Sequence, residues 1–294
     1  MVIDHRLSTS DPTDLSGFPS IVNGVATFIP FEMFPLEGQE LPEGKDGWVL
    51  FLDELSSAPM SVQSAAYKLA LDREVGQHKL HPNVHIVCAG NRRGDGAIAN
   101  NLGTAMQSRL VHLEVDVNAD DWLSWAYSKD LDSRITSYIA YSPDKLYMFD
   151  PNHNDKTFPC PRTWHFLSRY ADANDMSAED LPIIAGTIGE GPARQFLQFC
   201  EVGKDLPGFS EILKNPTATP VPEDPATVYF LCGTLASKAD AKNIEKVMEY
   251  VVRLPIEFQI VCLRDMRKRN MELAKLPAIR QWIQNTAREQ LSDQ

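Results

Sequence analysis

Apolar residues fall in alternating or unbroken short runs over the first third of this chain, and at three- and four-residue steps over most of the rest. Residues 2–7 alternate, which predicts a strand. Ile21-Val22 and Val25-Ala26-Thr27-Phe28-Ile29 flank Asn23-Gly24, a dipeptide suited to a turn with positive φ at both central positions, so a hairpin is expected. Phe28, Ile29, Phe31, Met33 and Phe34 form an apolar cluster that is either core, the default expectation, or a partner-facing patch. Trp48-Val49-Leu50-Phe51-Leu52 is unbroken and predicts a strand buried on both faces. Ser57 and Pro59 mark a helix start; Val62, Ala65, Ala66, Leu69 and Ala70 then share one helical face as far as about Val75, with Gly76 as the stop. Residues 84–89 predict a second buried strand, ending at Gly90-Asn91-Arg92. Residues 100–108 read as a helix and 110–115 as a third strand.

From Ala119 the period is helical, with Trp122, Leu123, Trp125, Ala126, Ile135 and Ile139 on one pattern. Pro161 and Pro192 sit at further helix starts. Pro216, Pro220, Pro222 and Pro225 predict an extended linker, after which helices resume. Strands alternating with helices, then helices alone, place the chain in the α/β class. The expected organisation is an α/β core over residues 1–118, a helical region over 119–205 and a helical extension over 206–294.

Candidate chemistry begins at the end of the 48–52 run. Unpaired charge inside a buried strand is very costly, so Asp53 and Glu54 belong at its carboxyl end, where open α/β sheets hold ligands. Asn91 follows the next buried strand, Arg109 precedes the third, and Arg162 opens a later helix. Taken singly these are a turn residue, a surface ion-pair partner and a packing residue. Together, two acids, an amide and two separated arginines are the parts that phosphoryl transfer needs for positioning and charge neutralisation.

Composition narrows the setting. The chain has 294 residues, 43% hydrophobic and 23% charged, as in a soluble globular protein with a real core. No window approaches the roughly 18 apolar residues of a membrane span. The N-terminus lacks an apolar signal region, and the five cysteines include no Cys-x-x-Cys pair, so a reduced, cytoplasmic location is expected. A formal charge of −12 argues against a nucleic-acid partner. Arg264, Arg267, Lys268 and Arg269 read as a solvated helix face. His78, His81 and His85 approach a metal-ligand spacing, but Pro82 interrupts it and His85 falls in a strand, so no zinc site is expected there.

Leu50-Phe51-Leu52-Asp53-Glu54-Leu55, Ala89-Gly90-Asn91-Arg92 and Gln107-Ser108-Arg109-Leu110 resemble the Walker B, sensor 1 and arginine-finger segments of AAA+ ATPases, and of their MoxR-like branch in particular. Residues 11–19 resemble that branch's approach to a hairpin inserted in the second core helix. Pro161-Arg162-Thr163-Trp164 resembles its sensor 2 segment, and residues 186–194 the end of its helical lid. The resemblance covers residues 1–200; the tail is similar to an extension of bacterial and phage members. It implies a parallel sheet of P-loop NTPase type followed by a helical lid, with ATP and Mg²⁺ as cofactors. Asp53 would bind the metal ion, Glu54 would be the catalytic base and Asn91 would position the water. Arg109 would act across a ring, with Arg92 and Arg93 as alternatives, and Arg162 would contact the γ-phosphate. It also implies self-association, as a hexamer, work on a protein client, and a von Willebrand factor A domain protein as partner.

The phosphate loop Gly-x4-Gly-Lys-Ser/Thr does not occur in these 294 residues. Residues 38–46 come nearest, but with five intervening residues and Asp46 in place of the hydroxyl they read as a surface loop. In the family this loop precedes the segment that residues 2–7 resemble, so the expectation is an N-terminally truncated form, not active alone. Losing three charge-assisted hydrogen bonds, each worth about 1.5–3 kcal/mol, weakens nucleotide binding at least about a thousandfold. Losing the family's first strand as well would leave unpaired backbone edges. The alternatives are a scaffold or adaptor in an AAA+ ring that lacks the loop, and an unrelated α/β metal-dependent hydrolase.

Overall fold

The structure, a computed structural model, describes residues 1–92, 94, 100, 102–152 and 155–292, apart from the side chains of 205 and 287–292. The chain divides into two compact units, Met1–Glu114 and Val115–Gln294.

The first unit is α/β. Strand β1 (Val2–Arg6) leads through a short 3-10 turn to helix α1 (Pro12–Ser16), which Asp11 and Asp14 cap reciprocally. The hairpin follows as β2 (Phe18–Val22) and β3 (Val25–Ile29), antiparallel, with Asn23 at φ 52° and Gly24 at φ 77°. These are the left-handed turn positions expected of Asn-Gly. Strand β4 (Trp48–Asp53) runs parallel to β1, with Arg6 opposite Asp53. Helix α2 (Met60–Asp72), the small ribbon β5 (Glu74–Val75) and β6 (His78–Lys79), then β7 (Val84–Cys88) and α3 (Thr104–Gln107) complete the unit. The main sheet has the order β1-β4-β7, all parallel.

Four expectations change here. Trp48, Leu50 and Leu52 are buried with Val62, Ala66 and Leu69 of α2, but Val49 and Phe51 on the other face are half-buried, so the sheet is covered on one side. The 28–34 cluster splits: Phe34 is buried while Phe28, Ile29 and Phe31 are exposed, because a two-stranded ribbon has too little surface to bury both faces. Helix α2 stops at Arg73 (φ 58°), whose guanidinium donates to the Val84 carbonyl at 2.6 Å; Gly76 instead turns the ribbon between β5 and β6. The expected third strand is not formed. Val111 and Leu113 are 89% and 84% exposed, and among the described residues no strand lies beside β7 to pair with them.

The second unit is helical. Helices α4 (Ala119–Ser128), α5 (Ser133–Tyr141), α6 (Pro161–Ala171), α7 (Leu181–Ile188) and α8 (Glu190–Val202) enclose Trp164, Tyr138 and Phe196, whose rings meet at 5.4–5.6 Å. Helices α9 (Phe209–Lys214), α10 (Pro225–Lys238), α11 (Ile244–Val251), α12 (Ile256–Arg269) and α13 (Pro277–Ser292) build a second cluster around Leu231, Tyr250 and Cys262. Helix α10 serves both: Tyr229 and Phe230 pack on the first cluster, Leu231 and Leu235 in the second. The proline-rich stretch is anchored rather than a free linker. Arg253 donates to the carbonyls of Pro216 (2.6 Å) and Thr219 (2.7 Å), and Tyr250 to that of Pro220 (2.7 Å). Prolines lack N–H groups, but their carbonyls still need donors, and these side chains supply them. No described helix is long and apolar enough to cross a membrane.

Candidate functional site

Because β1, β4 and β7 are parallel, their carboxyl ends share one edge of the sheet. Asp53 is the last residue of β4, with its side chain 30% exposed. Glu54 follows in the left-handed region (φ 57°), sparsely populated by residues with a side chain. Two hydrogen bonds hold it there: the Asp53 side-chain Oδ1 accepts the Glu54 N–H at 2.9 Å, and Leu55 N donates to the Ala89 carbonyl at 2.9 Å. The Ser8 hydroxyl donates to Glu54 Oε2. This strained turn lifts the carboxylate off the strand line, where a residue in extended conformation would continue the ladder.

Asn91 reaches the same edge from β7. Its N–H donates to Ser56 Oγ at 2.9 Å, two residues beyond Glu54. Gly90 permits that approach, since a Cβ there would stand 2.8 Å from Ser56 Oγ. The Asn91 side chain is exposed.

The cation at this edge is Arg6, which sequence reasoning missed. Its Nη2 lies 3.8 Å from Asp53 Oδ2 and its Nε 3.6 Å from Glu54 Oε1. Arg6 ends β1, and only the β1–β4 register, Arg6 opposite Asp53, reveals the contact. Ser8 and Ser56 were missed for the same reason: their contacts join segments 35 to 46 residues apart. His5, one position earlier, bonds Ser10 Oγ at 2.9 Å, and burial pushes its imidazole below the ordinary histidine value. Arg6 is thus the permanent charge here.

Among the described residues, none of the arginines expected at the site forms an ion pair with Asp53 or Glu54. Arg109 is exposed just after α3 and turns back on that helix, its Nη1 donating to the Ala105 carbonyl at 3.0 Å. Among the described residues no ion pair joins it to Asp53 or Glu54. Arg92 pairs with Glu114 at 3.5 Å, and Arg93 lies outside the described residues. Arg162 is exposed in the first turn of α6, in the helical unit.

Mg²⁺ needs near-octahedral oxygen coordination and commonly takes one or two carboxylates, with phosphate oxygens and water supplying the rest. Asp53 and Glu54 suit that donor set, and among the described residues no group of three or more His, Cys, Asp or Glu forms a fuller cage. Any such ion competes with Arg6 for the same oxygens.

No family model matches this chain. Over 79 residues, 26% of its length, it is 40% identical to the Psp operon transcriptional activator of Escherichia coli (strain K12). That match spans 24% of the activator, about a quarter of its length. Among solved structures, NtrX of Brucella abortus is similar at a TM-score of 0.34 and 14% identity, over 92% of this chain and 58% of that one.

Proposed function

We propose that this chain is an AAA+ module of MoxR-like type that carries the acidic part of an ATPase centre and couples ATP hydrolysis to remodelling of a protein client. The observation that carries this reading is the convergence of Asp53, Glu54 and Asn91 on one carboxyl edge of adjacent parallel strands. The partial match to a transcriptional activator adds support for the module.

In this reading Asp53 holds Mg²⁺, which when bound neutralises charge on the transferring phosphoryl group. Glu54 accepts the proton of the attacking water, and the Asn91 amide orients that water. Arg109, exposed and among the described residues bound to its own turn, would reach a nucleotide on a neighbouring subunit of a hexameric ring, and Arg162 would contact the γ-phosphate. The exposed apolar strip of the β2–β3 hairpin suits contact with a client or a neighbouring subunit. A von Willebrand factor A domain protein is the proposed partner, in the cytoplasm.

The sequence holds no phosphate loop, so another segment must supply the cradle. The test is a chain extended by a strand, a Gly-x4-Gly-Lys-Ser/Thr loop and a helix. Turnover is expected to appear in it, and Glu54→Gln to keep ATP binding while lowering turnover by about a hundredfold or more. Turnover near that of the parent would remove Glu54 from its role. Arg6 favours a second reading, a non-catalytic ring scaffold, since a guanidinium already pairs with both acids.

A further inference from the structure

We propose that the groove between α12 and α13 docks an acidic amphipathic helix of another protein. The groove encloses about 520 Å³. Helix α12 contributes Ile260 and Leu263, helix α13 contributes Ile279, Trp282 and Ile283, and Met271 closes one end. On each helix these positions are spaced by three or four residues, the stripe by which one helix receives another. Ile260, Met271 and Ile283 are 47%, 66% and 50% exposed, an apolar surface that nothing in the described unit covers. Trp282 is fixed in the wall because its indole N–H donates to Gln259 Oε1 at 2.6 Å.

Charge selects the occupant. Arg264, Arg267 and Lys268 line the same groove in a chain whose net charge is −12. Asp120 meets two of them, at 4.0 Å from Arg264 and 3.4 Å from Lys268, and Arg267 forms no ion pair among the described residues. Arg264 also pairs with the buried Asp265 of the same helix at 3.7 Å, so three cations meet two carboxylates and Arg267 is left to an incoming acid. A single-headed anionic lipid needs its cation at one end of an apolar slot. Here the cations stand midway, with Ile260 on one side and Met271 on the other. A helix with leucines at i, i+3 or i+4 and i+7, and glutamates flanking them, matches both features over the roughly 12 Å from Ile260 to Lys268. The proposal is independent of nucleotide chemistry.

The probe is a fluorescein-labelled synthetic 18-residue peptide of that pattern, about five helical turns, titrated with the full chain by anisotropy beside a shuffled peptide of identical composition. The patterned peptide is expected to bind saturably and to lose affinity at about 0.3 M salt. Arg267→Glu should weaken it about three- to tenfold, and Met271→Glu should weaken it as well. Both residues are exposed, so neither substitution disturbs the core. Equal binding of the shuffled peptide, no saturable binding, unchanged affinity in both variants, or stronger occupation by oleate than by peptide would each overturn the proposal.

Discussion

Arg6 meets two carboxylates with one guanidinium, which among the described residues leaves the edge formed by Asp53 and Glu54 with one uncompensated negative charge. Its side chain is 59% exposed and its contacts are 3.6 and 3.8 Å, the range in which an ion pair contributes little to stability, about 1 kcal/mol at most. Arg6→Ala is therefore expected to lower the melting temperature only slightly in a thermal denaturation scan. A collapse of the fold would assign Arg6 a structural role beyond charge neutralisation. A different balance holds at Asp265, which is 3% exposed and has no hydrogen bond to its Oδ1. Desolvation pushes its carboxyl above the ordinary range, against the opposing charges of Arg264, Arg269 and Lys268. A folded-state pKa above the unfolded one gives stability that is full below the unfolded value and is lost as pH rises through the folded one. Asp265→Asn should then melt higher than the parent chain at about pH 8, with the gap closing as pH falls toward about 4. A gap that widens on acidification would reverse the sign assigned to this group.

Elements were legible where their cause is local. Asn23-Gly24 dictates its own turn, and the β2–β3 hairpin forms around it with five facing pairs. Residues 110–115 carry an equally good strand pattern, yet a strand requires a neighbour, and period cannot reveal whether one is present. The same limit applies to β4, where an unbroken apolar run implied two covered faces and only the α2 face is covered. The hairpin is likewise correct as an element, but its Phe28 and Ile29, expected in the core, are 39% and 47% exposed, beside Phe18, Ile21 and Val25 at 61%, 76% and 65%. An apolar ribbon of that kind promotes association. Ile21→Lys with Val25→Lys is expected to reduce self-association in sedimentation velocity while leaving the circular dichroism spectrum unchanged. Undiminished self-association would take the ribbon out of the interface. Between helices, Gly233 of α10 lies so close to α5 that a Cβ would overlap the Ser137 hydroxyl. Gly233→Ala should therefore cost about 1–3 kcal/mol by overpacking, measured by urea denaturation; no loss would mean that the two helices separate freely.

At the scale of the whole molecule, the candidate residues are divided between the two units: Asp53, Glu54, Asn91 and Arg109 in Met1–Glu114, and Arg162 in Val115–Gln294. The Asp53–Glu54–Asn91 part was legible because a buried strand forces charge to its end, and the neighbouring strand follows by a parallel crossover. Arg6 and Ser8 were not, since their partnership with the acids exists only once β1 lies beside β4. In the proposed reading they form one edge of a phosphoryl-transfer site without its phosphate cradle, and MgATP is accordingly expected not to bind this chain at micromolar concentration. The central claim is that the carboxyl edge of β4 is a divalent-cation end of such a site, held in reserve by Arg6. Titration of the chain with Mn²⁺, followed by paramagnetic broadening of backbone amide resonances, tests it most directly. The account predicts weak, local broadening at Ser8, Asp53, Glu54 and Ser56 that strengthens in Arg6→Ala and disappears in Asp53→Asn. Broadening elsewhere, or at this edge but unchanged by Asp53→Asn, would contradict it.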